Sequence, residues 1–106
     1  MKLAEQNCKP YKQGDPALSM NEANRLLKEV PNWSLKEKQL IREFAFKDFN
    51  EAIDFVNKIA ELAQAQDHHP DICIFYSKVT LSLSTHKVGG LSQNDFILAA
   101  KIDLRN

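Results

Sequence analysis

The three histidines of this chain, His68, His69 and His86, fall inside one nineteen-residue stretch. Imidazole has an unperturbed pKa of about 6.5, so near neutral pH it can give a proton to one atom and take one from another. Two of the three are adjacent, in Asp67-His68-His69-Pro70, where Pro70 ends a long helical pattern and an apolar run begins. His86 continues the phase of Thr80, Ser82 and Ser84 and precedes Lys87-Val88-Gly89-Gly90, which puts it on the polar face of a strand at its end, beside a glycine loop. Asp95 follows nine residues later, near enough to approach the same loop. Imidazoles gathered with neither a nucleophile nor a metal suit proton shuffling. One group protonates a leaving hydroxyl while another removes a proton elsewhere on the same small molecule, as in a dehydration or an isomerisation.

Blander roles compete for each residue. Histidines at a helix terminus also satisfy the last carbonyls and the macrodipole, and Asp95, three residues after Ser92, also completes a helix cap. Zinc is disfavoured, because adjacent side chains diverge and no HxH or HxxxH pair is present. Cys8 and Cys73 share no CxxC spacing and read as free thiols; Cys73, inside Ile-Cys-Ile-Phe, is expected to be buried and inert. Gly89-Gly90 alone is a turn signal and not a phosphate loop.

The elements that must position these groups can be read along the chain. Its 106 residues, 43% hydrophobic and 26% charged, predict one domain with one core. Fourteen basic residues balance fourteen acidic ones, leaving no net field to draw in nucleic acid or an anionic bilayer. With no apolar leader and no membrane-length apolar run, the expectation is a cytoplasmic protein. Residues 1–18, with two prolines and little periodicity, read as an extended arm, disordered at its start and without catalytic content. The domain proper is expected over 19–106.

Ser19 and Glu22 form a capping-box signature, and Ala23, Leu26, Leu27 and Val30 share one helical face, predicting a helix over about Met20–Glu29. Trp33 to Phe46 reads as a hairpin broken at Lys36–Gln39, with Trp33 a core or rim aromatic. Asp48 caps the strongest helix, whose predicted stripe is Phe49, Ala52, Ile53, Val56, Ile59, Ala60 and Ala63. Phe55 and Leu62 lie off that stripe and read either as a widened core face or as a face for a partner subunit. ICIFY and KVTLSLST supply two more strands, the second with Val79, Leu81 and Leu83 on its dry face; Ser92 and Asp95 open a last helix carrying Phe96, Ala99, Ala100 and Ile102. The order α-β-β-α-β-β-α, without long buried parallel strands, predicts an α+β fold: a four-stranded antiparallel sheet with three helices on one face.

The pattern His68-His69-Pro70, five residues, Tyr76, nine residues, His86, eight residues, Asp95 resembles the signature of the pterin-4a-carbinolamine dehydratases. The resemblance runs over about residues 19–105 and includes Trp33, FAFKDFNEAIDFV, KVTLSLSTH and GLSQND. It implies the same sheet-and-helix fold and a hydro-lyase that converts 4a-hydroxytetrahydropterin to quinonoid dihydropterin and water, recycling tetrahydropterin, with no cofactor or metal. It makes His68, His69 and His86 the catalytic imidazoles; Asp67, Ser84, Thr85 and Lys87 line the pterin site, with Asp95 a further polar contact. The chemistry needs an acid for the C4a hydroxyl and a base for the N5 proton. His69 and His86 are assigned to these roles in unspecified order, with His68 holding or assisting. Gln64 stands where many members carry a carboxylate, and can hydrogen-bond but carries no charge. Val88 and Ile72 likewise differ from the cysteine and the aromatic residue of animal relatives. A homo-oligomer, dimer or tetramer, is expected. The alternatives are a non-catalytic pterin-binding or protein-partner role, like the dimerisation of a homeodomain factor by animal relatives, or service to another pterin, as in molybdenum-cofactor metabolism.

Overall fold

Local sequence signals set most of the element boundaries in the computed structural model, which describes residues 2–106. Helix α1 (Met20–Leu27) opens with the expected capping box: Glu22 N donates to Ser19 Oγ at 3.2 Å and Ser19 N to Glu22 Oε1 at 3.3 Å. It ends two residues before the predicted limit. Pro31 disfavours helical backbone in the residue before it, and Glu29 N and Val30 N tighten onto the carbonyls of Leu26 and Leu27. Strands β1 (Ser34–Lys36) and β2 (Gln39–Ala45) form the first hairpin, turning through Glu37 at φ 56°. Helix α2 (Phe49–Gln66) is capped by Asp48 Oδ1, which accepts from Glu51 N at 2.9 Å. Strands β3 (Asp71–Phe75) and β4 (Lys78–Leu83) make the second hairpin, and α3 (Gln93–Asp103) closes the chain.

The sheet is antiparallel throughout, in the order β1-β2-β4-β3. The α-β-β-α-β-β-α order and the four-stranded antiparallel sheet are those read from the sequence. Period-two alternation gives the sheet one dry side: Leu40 and Phe44 of β2 and Val79, Leu81 and Leu83 of β4 are buried, and with α1, α2 and α3 they enclose the core. Arg42 shares that phase and is neutralised there. Its guanidinium lies 4.3 Å from the Phe44 ring centroid and 2.6 Å from Asp103 Oδ1, which also accepts from Trp33 Nε1 at 2.8 Å. Trp33 is a buried core residue.

Three expectations are corrected. Phe55 and Leu62 are not a partner face: with Ala52, Ile59 and Ala63 they are the buried side of α2, whereas Phe49 and Ala60 are exposed and Ile53 and Val56 half-buried. The apolar arc of α2 is wider than one stripe, and the half that meets the sheet is the one carrying the large Phe55 ring, packed at a tilt with centroids 4.7 Å from that of Phe44 and 5.0 Å from that of Phe46. Cys73 is exposed, because β3 is an edge strand and Cys73 points away from the helices. The arm also packs on the rest of the fold instead of extending from it, although Met1 lies outside the described residues. Leu3 is buried within a short 3-10 turn over Leu3–Glu5, and Lys101 Nζ donates to Ala4 O at 2.9 Å, so the arm covers the side of α3 that the sheet does not. No helix among the described residues is long and apolar enough to cross a membrane.

Candidate active site

The site begins where α2 ends. Asp67 takes the left-handed conformation (φ 50°, ψ 42°), and His68 N returns to Ala63 O at 3.2 Å, so the chain turns sharply and delivers two adjacent histidines to different partners. His68 Nε2 donates to Asp95 Oδ1 at 2.6 Å; His69 Nε2 donates to Gln64 Oε1, one helical turn back, at 3.1 Å. The divergence of neighbouring side chains that argues against a shared metal is what lets each ring be held separately. Among the described residues no group of three or more His, Cys, Asp and Glu is arranged to hold a metal ion.

Asp95 is fully buried, and both its oxygens are used. Oδ1 meets His68, while Oδ2 accepts from Ser92 N at 3.0 Å and from Thr85 Oγ1 at 2.8 Å. Ser92 Oγ stands 2.7 Å from Thr85 Oγ1 and completes a dry polar knot between the end of β4 and the first turn of α3. The cap and the functional contact are thus one arrangement. The carboxylate closes the helix N-terminus and, through the same atoms, fixes the orientation and tautomer of His68. With no exposed surface of its own, it acts on the cleft through His68.

His86 opens a 3-10 turn (His86–Val88) that Gly89 ends at φ 68°, a left-handed position that favours glycine. The ladder has stopped at Leu83, and the Thr85–Gly90 bridge folds the loop so that His86 and Lys87 are exposed at its tip. A cleft of about 280 Å³ joins these parts. It is lined by Asp67, His68 and His69 from the helix end, by Ser84, Thr85, His86 and Lys87 from the strand end, and by Asn94. All three imidazoles and the four residues expected to line a pterin site therefore share one cleft, while Gln64 and Asp95 stand behind it holding His69 and His68.

Other positions fall elsewhere. Tyr76 forms the β3–β4 turn at φ 54°, exposed and at the far end of the sheet from the histidines. Ile72 packs on the core, and neither it nor Val88 lines the cleft. Conversely, Lys9, Pro10 and Tyr11 of the arm do line it. Nothing in their local pattern announced this. The only signal was indirect: Phe96-Ile97-Leu98-Ala99 is apolar all round, which requires cover on a second side of α3.

The sequence model of the pterin 4 alpha carbinolamine dehydratase family matches residues 16–104. A Rubrobacter xylanophilus protein provisionally named a pterin-4-alpha-carbinolamine dehydratase is 46% identical over 102 residues, 95% of each chain. A Picosynechococcus protein of the same name is 52% identical over 86 residues, 81% of this chain and 94% of the relative. Among solved structures, one from Brucella melitensis described as a transcriptional coactivator/pterin dehydratase superposes with a TM-score of 0.80 at 31% identity, covering 84% of this chain and 97% of that one. A four-stranded antiparallel sheet covered by three helices, shared with the Brucella structure, defines the class. The chain belongs to the pterin 4 alpha carbinolamine dehydratase family.

Proposed function

We propose that the chain dehydrates 4a-hydroxytetrahydropterin to quinonoid dihydropterin and water by imidazole acid–base catalysis. The observation that carries this reading is the convergence of His68, His69 and His86 on one cleft, two of them held by separate acceptors. In the reaction the C4a–O bond breaks as its hydroxyl takes a proton and leaves as water. The N5–H proton goes to a base, and the N5 electron pair forms the new C4a=N5 bond. His69, from the end of α2, and His86, from the end of β4, both exposed in the cleft, are the acid and base. His69 donates Nε2–H to Gln64, which leaves Nδ1 as the ring's acceptor, whereas His68, tied to Asp95, is a held ring that orients the substrate. Asp67, Ser84, Thr85 and Lys87 supply polar contacts around them.

The test is stopped-flow decay of chemically generated 4a-hydroxytetrahydropterin. Wild type accelerates it, and His86→Ala or His69→Ala loses about 10²–10⁴-fold in turnover. Gln64→Glu, which puts a charge beside His69, raises the rate if the amide limits catalysis. Undiminished turnover in His86→Ala would falsify the assignment.

A second reading concerns assembly. Phe49, Ile53, Val56 and Ala60 form an apolar strip along one side of α2 that the core buries only in part, and Phe49 is 47% exposed. This strip, in place of Phe55 and Leu62, is the face we assign to a homo-oligomer or to a protein partner of the kind the coactivator description of the Brucella structure suggests.

A further inference from the structure

Residues Lys9–Tyr11 precede the region matched by the family model, yet they make one side of the cleft. Their backbone is fixed by a built contact. Asn94, only 4% exposed, donates Nδ2–H to Lys9 O at 2.6 Å and accepts from Lys9 N at 2.9 Å, so a side-chain amide satisfies both main-chain groups of one arm residue. On either side Cys8 N donates to Gln66 Oε1 at 2.8 Å and Gly14 N to Lys87 O at 2.9 Å. The arm is therefore tied to the last turn of α2, to the first turn of α3 and to the His86 loop. Those are the elements that hold His68 and His69, anchor Asp95 and carry His86.

Core packing does not account for the residue types. Leu3, with Cys8 half-buried, already covers α3, whereas Lys9 is exposed and Tyr11 half-buried, outside the core cluster. The Lys9 ammonium lies 5.3 Å from the Tyr11 ring centroid, pairing a cation with an aromatic plane in the lining of the cleft. We propose that Lys9 and Tyr11 are substrate-binding residues. The Tyr11 ring packs on a flat, conjugated bicyclic ligand, and the Lys9 ammonium donates to its carbonyl or hydroxyl oxygens. Asn94 is the positioning residue that presents them. The proposal rests on the pterin reading above and deepens it, adding a wall that the matched region does not contain.

The experiment pairs steady-state kinetics on 4a-hydroxytetrahydropterin with calorimetric titration of a stable dihydropterin that is bound but not turned over. In Tyr11→Ala, KM and the dihydropterin Kd rise about tenfold while kcat stays within about twofold, and Tyr11→Phe restores both constants. Far-ultraviolet circular dichroism and the thermal midpoint of each variant match wild type, since Tyr11 is outside the core. Unchanged KM and Kd in Tyr11→Ala, or a fall in kcat alone, overturns the proposal. If wild type shows no turnover yet binds dihydropterin with a Tyr11-dependent Kd, the dehydratase reading fails and the arm's role stands. Absence of both turnover and binding in wild type overturns both.

Discussion

Asp95 uses both carboxylate oxygens inside the protein, and that arrangement divides the cluster of histidines by job. His68 is held by a buried acceptor, His69 by an exposed amide, and His86 by neither among the hydrogen bonds described. The clustering was legible from spacing alone, and so was the cap; that the cap and the histidine contact are the same carboxylate was not, because it depends on β4 and α3 meeting end to end. The two thiols differ just as clearly. Burial pushes the Cys8 thiol from 9.0 up to about 11, with the Asp95 charge adding to the shift and Lys101 opposing it. Because the folded state holds this proton more tightly than the unfolded chain, the stability it brings is fully present below pH 9.0 and is lost as pH rises through about 11. At about pH 8 iodoacetamide is therefore expected to alkylate exposed Cys73 while Cys8 stays unmodified, and Cys8 to become reactive only as the pH approaches 11. Peptide mass mapping reads this directly, and equal labelling of the two at pH 8 would count against the burial argument.

At the scale of elements, α2 shows where periodicity stops being informative. Apolar residues cover almost half its circumference, so spacing establishes that a helix is present but not which half of the arc meets the sheet; the packing of Phe55 on Phe44 and Phe46 decides it. Truncating Phe55 to Ala is expected to cost about 3–5 kcal/mol of stability in urea unfolding, whereas Phe49→Ser changes the monomer by no more than about 0.5 kcal/mol. Similar losses for both would return the core face to the stripe read from the sequence. The strands were legible because β4 alternates cleanly and the first hairpin breaks at a polar pair, Glu37-Lys38. Helix α3 was legible at its cap and misleading along its length, since Phe96 and Ala99 read as one face of a helix whose Ile97 and Leu98 are buried as well. A sheet covers only one side of a helix, and the other cover comes from residues some ninety positions earlier, which no local window contains.

For the molecule as a whole, the partly buried strip on α2 and the open edges of β1 and β3 leave apolar and hydrogen-bonding surface that a chain of 106 residues is short of means to bury alone. Light scattering is expected to find an oligomer in wild type and a smaller species in Phe49→Asp, with circular dichroism unchanged; an unaltered mass would remove the α2 strip from the assembly. The contact between arm and last helix bears on a different matter, the order of events on the ribosome. Ala4 waits for Lys101 and Lys9 for Asn94, so these arm residues find their partners only once α3 has been made. The helix they cover also supplies Phe96, Leu98 and Ile102 to the core. An emerging chain can close its hairpins early, but it can neither complete its core nor assemble its cleft while α3 is still in the exit tunnel. Stalled nascent chains that end before residue 93 therefore lack Asn94 and Asp95, and leave both the arm and His68 without their anchors.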